Sequence, residues 1–316
     1  MRFSGLEMDF PHEELNTDND YLGDSKYFDS AIIAPSTQLK ASPKLFSNHK
    51  TNFIFKTKFS EYTSSNQKSY VSFLGRLEFK VASYSWLKFS YSLMPRYYLR
   101  TYIDRDVYPI EYHPCYFSNE TVYISYSTPI SIKKTWLDFK FVLNNQFYNE
   151  NFTEYDHKIM GFEAAVKSKL FKRLSLSVAY IFYNADNISY QSSNISESTK
   201  IDRSYIKNGI KLSARKTLKK SFISSFGFKF NFSHRDYAMD SWYYEPDLWK
   251  QYYEYDLVLE CSKKINKAAS LQLSAKLFFR DVVSSESTIT DWVEDYKIYH
   301  RNEFWLKFIY NFSIIN

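Results

Sequence analysis

Histidine, serine and carboxylate side chains are the first candidates for chemistry in this sequence of 316 residues. A hydrolase needs a serine, a histidine and a carboxylate or amide that converge at one point. The best candidate segment is His234-Arg235-Asp236, but no serine accompanies it at a spacing typical of such an enzyme. The histidines are scattered along the chain, at His12, His49, His113, His157, His234 and His300. We therefore predict that the protein is not an enzyme.

Metal and redox sites have few candidate residues. The segment Asp104-Arg105-Asp106 places two carboxylates around an arginine, which makes a poor oxygen cage for Ca²⁺. Cys115 and Cys261 are far apart and match no spacing of a metal or redox motif. The sequence therefore predicts neither a metal nor a cofactor.

Basic residues form the most extensive chemical pattern. The chain has 41 Lys and Arg against 35 Asp and Glu, a formal charge of +6. A basic balance is one property of nucleic-acid-binding proteins, but the sequence has no basic helix, no RNA-recognition signature and no run of clustered Lys or Arg. The basic residues instead occupy alternating positions in many segments. Basic residues spread in this way favour one wall of a β-barrel over a single basic patch. The pattern therefore argues against a nucleic-acid partner.

One segment, 236–249, combines aromatic side chains with carboxylates. Such a combination can stack on a sugar and hydrogen-bond to it. It can equally form an interfacial girdle, or a loop core that rests on the rim of a barrel. We favour the second interpretation and predict an extracellular-loop aromatic cluster of Trp242, Tyr243, Tyr244 and Trp249. A girdle is also expected near strand ends, from Tyr97, Tyr98, Tyr102, Tyr252, Tyr253 and Tyr255.

The elements that position these residues are long amphipathic strands. Residues 68–102 alternate apolar side chains such as Leu77 and Phe89 with polar ones such as Arg76 and Lys88. Successive side chains of a strand point to opposite faces, so each arm has one apolar and one polar face. The short connector near 82–85 predicts an antiparallel hairpin.

The same pattern repeats along the chain. Further strands are predicted at 51–62, 111–127, 131–148, 157–171, 173–186, 201–215, 220–235, 250–263, 268–283 and 296–314. Short connectors alternate with longer, polar or aromatic ones, as in outer-membrane barrels. From residue 51 onward this gives twelve strands. Weaker candidates at 2–10 and 27–41 raise the count to fourteen, which we prefer.

Composition agrees with strands that have one apolar face. Aromatic residues make up 20% of the chain, with 29 Tyr and 28 Phe, while the mean hydropathy is −0.46. The sequence contains no run of about 18 apolar residues, the length that a spanning helix requires. The predicted fold is an all-β, transmembrane, antiparallel up-and-down β-barrel of about 14 strands, with 12 as the alternative. It is one domain, 1–316, in which 1–49 supplies the first two strands or, in the twelve-strand version, a plug or periplasmic segment.

The last predicted strand reads Phe304-Trp305-Leu306-Lys307-Phe308-Ile309-Tyr310-Asn311-Phe312, followed by Ser-Ile-Ile-Asn. This segment resembles the closing strand of Gram-negative outer-membrane β-barrels, in which aromatics near the end are the signal for the barrel assembly machinery. The chain departs from the family's usual form, because four residues follow Phe312 and the last is Asn. The resemblance implies a bacterial outer-membrane location, with lipid and the assembly machinery as partners.

A basic wall in a confined lumen attracts anions. We therefore predict a channel for polar, anionic small solutes. Its pore-lining residues are expected to be Lys58, Arg76, Lys88, Arg96, Arg100, Lys140, Lys167, Lys207, Lys211, Lys229 and Lys276. The alternative is the barrel of a secretion or assembly translocator for a protein or polysaccharide, joined to a periplasmic domain that is not part of this chain. The start Met1-Arg2-Phe3-Ser4 lacks the apolar region of an export signal, which keeps that alternative open.

Overall fold

The fold is a single antiparallel β-sheet. The computed structural model describes residues 2–5, 31–42, 50–63, 66–104, 111–132, 134–170, 173–193, 202–218, 222–238, 250–266, 269–284 and 299–310. These residues form fifteen strands and two 3-10 helices, Asn66–Lys68 and Glu150–Tyr155. The strands are β1 Arg2–Gly5, β2 Ala31–Ile33, β3 Ser36–Ala41, β4 Thr51–Tyr62, β5 Tyr70–Ala82, β6 Ser85–Asp104, β7 Glu111–Pro129, β8 Thr135–Tyr148, β9 His157–Leu170, β10 Leu174–Asn187, β11 Tyr205–Thr217, β12 Ser225–Tyr237, β13 Lys250–Lys264, β14 Ala269–Ser284 and β15 Tyr299–Tyr310.

The topology is up-and-down. From β3 to β15, thirteen strands each pair antiparallel with the next strand along the chain. β1 pairs with β15, through Arg2 opposite Lys307 to Gly5 opposite Phe304, and also with β2. β2 in turn pairs with β4, where Ile33 lies opposite Glu61.

The predictions of an all-β chain and of an antiparallel up-and-down sheet are confirmed. Each of the twelve strands predicted from residue 51 onward is present. The strand predicted at 27–41 is divided into β2 and β3 at Ala34 and Pro35. Proline lacks an N–H and tends to lie where a strand's hydrogen-bonding ladder is interrupted. Across this break, the Phe59 amide still donates a hydrogen bond of 3.1 Å to the Pro35 carbonyl.

The apolar face of the sheet is exposed, whereas in an ordinary soluble protein the apolar face is buried in the core. In β15 the exposed fractions of Phe304, Leu306 and Phe308 are 53%, 45% and 50%, whereas those of Glu303 and Trp305 are 7% and 8%. The same alternation runs through β8, where Leu137, Phe139, Phe141 and Leu143 are exposed. Soluble monomers rarely expose a contiguous apolar surface of this extent.

The connectors lie at two ends of the sheet. The turn end holds the connectors β5–β6, β7–β8, β9–β10, β11–β12 and β13–β14, and the loop end holds the connectors β4–β5, β6–β7, β8–β9, β10–β11, β12–β13 and β14–β15. Strand pairing keeps the polar positions of neighbouring strands side by side. For example, Lys88 lies opposite Ser125, and Ser125 lies opposite Lys140.

Candidate functional site

Two adjoining cavities lie on the polar face and define the candidate site. The larger, of about 680 Å³, is close to the turn end and is lined by residues from β6 to β13 together with Tyr84 of the β5–β6 connector. The second, of about 420 Å³, lies deeper along the strands. They form one continuous space, because both are lined by Lys88, Ser127, Asp138, Lys167, Ser177, Ser213 and Lys229.

The walls of this space carry an excess of positive charge. Its cationic side chains are Arg76, Lys88, Lys140, Lys167, Lys169, Lys211, Arg215 and Lys229, and its carboxylates are Asp138, Glu163 and Glu260. Eight cations against three carboxylates leave a strongly basic surface. A concave surface of one charge sign concentrates small ions of the opposite sign.

Each of the three carboxylates is paired with cations. Glu163 forms ion pairs with Lys211 and Lys140, at N–O distances of 2.9 and 3.4 Å. Glu260 does so with Lys229 at 2.6 Å and with Arg215 at 3.8 Å.

The third carboxylate, Asp138, pairs with Lys167. Lys88 forms no ion pair or hydrogen bond through its side chain with any residue that the structure describes. Lys169 contacts the face of Trp136, with 5.4 Å between its Nζ and the ring centroid. These two ammonium groups remain available to an anion in the cavity.

A close approach between neighbouring strands positions Glu163. Tyr183 lies opposite Gly161 in the pairing of β10 with β9, and a Cβ at Gly161 would overlap the Tyr183 ring and the Phe182 carbonyl. Because Gly161 has no Cβ, the Tyr183 ring can pack against its backbone. From this position the Tyr183 hydroxyl donates a 2.5 Å hydrogen bond to Glu163. The carboxylate is thereby held between Tyr183 and its two lysines.

Nearer the loop end, the polar face is filled by a second cluster built on Glu254. The exposed fraction of this residue is 8%. Its carboxylate forms ion pairs with Arg280 at 2.9 Å, Lys207 at 3.3 Å and Arg235 at 3.5 Å. Burial of so many charges is tolerated only where they are paired. The cluster therefore ties β11, β12, β13 and β14 together.

Aromatic side chains surround this cluster. Ring centroids are 5.3 Å apart for Tyr205 and Tyr237, and 5.2 Å apart for Tyr237 and Tyr252. The guanidinium of Arg235 lies 4.7 Å from the Tyr205 ring, and that of Arg280 lies 4.9 Å from the Tyr252 ring. Such contacts between a cation and a ring are attractive and strengthen with desolvation.

A further aromatic series continues along the loop end, from β5 to the connector after β8. Tyr70, Tyr97, Phe117, Tyr148 and Tyr155 contact one another in that order, with centroid distances between 5.2 and 5.5 Å. We call this series, together with Tyr205, Tyr237 and Tyr252, the inner aromatic belt. The girdle prediction is wrong for Tyr97 and Tyr252, which lie on the polar face. Strand alternation could have shown this for Tyr252, because it is two residues from Glu254 and therefore lies on the same face of β13.

The structure brings together six of the residues predicted to line a pore. Arg76, Lys88, Lys140, Lys167, Lys211 and Lys229 all line the two cavities. Three others lie elsewhere on the polar face: Lys58 donates to the Tyr70 hydroxyl, Lys207 pairs with Glu254, and Lys276 pairs with Glu303. Sequence reasoning missed the part played by Trp86, Trp136, Arg235 and Arg280, although alternation places all four on the polar face.

Arg96 is exposed, with its guanidinium 3.9 Å from the Tyr116 ring. Two register shifts between β6 and β7, at Met94/Tyr97 and Tyr98/Thr101, interrupt the alternation on which its prediction relied. The side chain of Arg100 and the loop residues Trp242, Tyr243, Tyr244 and Trp249 lie outside the described part of the chain.

Three further observations concern metal ligands, membrane-spanning helices and the histidine segment. Within the described ranges, no group of three or more His, Cys, Asp or Glu side chains could hold a metal ion. In the same part of the chain, no helix has the length and apolar character needed to cross a membrane. His234, in the best candidate segment for a hydrolase, stacks on Tyr253 with 4.8 Å between ring centroids.

No protein-family model matches the chain, and no curated protein matches it. The proposed function below therefore depends on the geometry and charge of the polar face.

Proposed function

We propose that the sheet closes into a barrel in a bacterial outer membrane, and that the barrel passes small polar anions. The observation that carries this proposal is the pairing of an exposed apolar face with a basic cavity on the opposite face. Lipid needs the first property, since spanning strands present apolar side chains outward. Passage of anions needs the second, since cations along a confined path lower the energy of an anion inside it.

Closure is supported by the contacts of the two shortest strands. β1 continues the sheet beyond β15, and β2 pairs both with β1 and with β4. If β2 and β3 are the two parts of one interrupted strand, the ring has fourteen strands, an even number. Closure also leaves no unpaired strand edge in lipid, where an unsatisfied backbone group costs several kcal/mol.

Conductance measurements test the proposal. The folded chain is inserted into a planar lipid bilayer, and the reversal potential is measured under a KCl gradient. We expect ohmic conductance with preference for Cl⁻. Lys88→Gln should lower this preference, because it removes an unpaired charge from both cavities.

The control is Lys216→Gln, which removes the same charge from an exposed residue opposite Phe226 on the apolar side. This variant should keep the selectivity of the parent chain. Cation selectivity, or equal effects of the two substitutions, would contradict the anion pathway. A folded, inserted barrel without conductance would favour the translocator.

A further inference from the structure

We infer that the cavity at the turn end is a binding site for a small organic anion that carries an aromatic ring. This inference deepens the proposed function and rests on it, since the bound molecule would be a solute on its way through the barrel. It concerns the turn-end cavity alone. The deeper cavity has basic residues but no tryptophan in its lining.

Two tryptophans are oriented toward the polar face of the sheet. Trp86 and Trp136 both line the turn-end cavity. A tryptophan that anchors a barrel among lipid headgroups points outward. Trp86 instead has the parity of Lys88, and Trp136 has the parity of Asp138, so both lie on the polar face. Their rings therefore present apolar area to the cavity rather than to lipid.

Positively charged side chains lie beside these rings. Lys169 lies over Trp136, and Lys88 is two residues from Trp86 on the same face. A ligand that combines a ring with a carboxylate, sulfonate or phosphate would satisfy both kinds of side chain at once. Neither an inorganic anion nor a neutral ring would do so.

Size and shape agree with this class of ligand. The strands of Trp86 and Trp136 are separated only by β7 and therefore lie about 10 Å apart at the usual strand spacing. Trp136 is offset from Trp86 by two positions along the strands, which increases the separation of the two Cα atoms to about 12 Å. One or two fused rings fit such a span. The lining contributed by β10, β11 and β12 includes the small residues Ser175, Ser177, Ser213 and Gly227, together with the cations Arg215 and Lys229. The cavity of about 680 Å³ is within the range of small-molecule sites.

Calorimetric titration of the full chain in detergent micelles tests the inference, with 2-naphthoate as the probe. We expect saturable binding at one site per chain after subtraction of the heat from empty micelles. Acetate has the charge without the ring, and 2-naphthalenemethanol has the ring without the charge. Both should bind at least about tenfold more weakly, since stacking on a ring and a hydrogen bond to a charged group are each worth about that factor.

Five variants locate the site. Trp136→Leu and Lys169→Gln should each weaken naphthoate binding by about tenfold. Phe139→Leu removes an exposed ring from the opposite face of the same strand, and Lys216→Gln removes a charge outside the cavity; neither should change the affinity. If Trp136→Leu fails to fold, Trp136→Phe takes its place in the experiment. This variant keeps a ring and should therefore retain most of the affinity.

The outcomes separate this inference from the proposed function. Equal binding of acetate and naphthoate, or unchanged affinity in Trp136→Leu and Lys169→Gln, would overturn the aromatic-anion site even if the barrel conducts Cl⁻. Naphthoate binding with the expected variant pattern in a chain that does not conduct would leave the site intact and remove the channel. Block of the KCl current by naphthoate, relieved in Lys169→Gln, would support both.

Discussion

At the scale of the residue, Lys88 and Glu163 illustrate how charge is balanced on the polar face. Glu163 is held by Tyr183, Lys140 and Lys211, so its charge is offset within the wall. Lys88 lies on the same row of paired positions, between Glu78 and Ser125, yet it forms no ion pair with a carboxylate among the described residues. The wall therefore neutralises its acids locally and leaves part of its positive charge free to act on a solute.

Two neighbouring residues of β7 test the proposal that the apolar face meets lipid. Ile124 is exposed on the apolar face, and Ser125 lines the deeper cavity between Lys88 and Lys140. Ile124→Glu should destabilise the inserted barrel by about 1–2 kcal/mol, because a carboxylate at mid-membrane is less costly than a lysine but still unfavourable. Urea unfolding in lipid vesicles measures this difference.

The matched variant Ser125→Glu places the same charge between two lysines. We expect stability at or above that of the parent chain, together with a weaker preference for anions. Greater loss of stability at Ser125 than at Ile124 would reverse the assignment of the two faces.

At the scale of the element, neighbouring strands position the site through close backbone contacts. Gly161 of β9 accommodates the ring of Tyr183 from β10, and that ring carries the hydroxyl that holds Glu163. Gly75 of β5 differs, because a Cβ there would have no atom within 4 Å. Two glycines in the middle of strands therefore have different reasons to be present.

This contrast gives a prediction for matched substitutions. Gly161→Ala should destabilise the fold by about 1–3 kcal/mol, because the new methyl group forces the Tyr183 ring and the adjoining backbone to move. Gly75→Ala should be neutral or stabilising by up to about 1 kcal/mol, since alanine has less freedom in the unfolded chain. The midpoint of thermal unfolding in detergent measures both effects. A larger loss for Gly75→Ala than for Gly161→Ala would contradict the role given to Gly161.

At the scale of the whole molecule, the contacts of β1 and β2 decide whether the sheet becomes a barrel. Only four residues of β1 pair with β15, and two of β2 pair with β4. Every other junction between consecutive strands from β4 to β15 pairs at least eight residues. The junction formed by β1 and β2 is therefore the weakest part of the proposed ring.

Cross-linking tests closure directly. In a chain with Cys115 and Cys261 replaced, the pair Phe3→Cys and Leu306→Cys should form a disulfide on mild oxidation, as should the pair Ile33→Cys and Glu61→Cys. Residues opposite each other in an antiparallel pair have Cα atoms about 4.5–5.5 Å apart, which a disulfide can span. Faster migration of the unreduced, denatured chain on a gel reports each bond.

The control combines Phe3→Cys with Leu277→Cys, a residue of β14 that is not adjacent to β1. It should remain reduced. Failure of both paired variants to oxidise in a folded chain would exclude closure through β1 and β2.

Much of the sheet was predictable because strand periodicity is local. Leu77 and Phe89 lie opposite each other on the apolar face of β5 and β6. Each alternates with polar residues along its own strand, because successive side chains of a strand point to opposite faces. The cationic wall follows from that parity, and six predicted lysines and arginines indeed line one space. The register shifts in β6 could not be foreseen for Arg96, because a bulge depends on how two strands pair and not on one strand's pattern.

The sequence alone determined the class of secondary structure, the order of the strands and, where strands pair without a register shift, which side chains share a face, since these depend on near neighbours along the chain. Only the tertiary structure decided which of the basic residues remain unpaired, which tyrosines form the inner aromatic belt, and that Trp86 and Trp136 flank one cavity with Lys169. Those properties depend on residues that are far apart along the chain, such as Trp86 and Lys169, and that strand pairing brings into one cavity. Cross-strand distance, and not distance along the chain, sets both ion pairing and cavity shape.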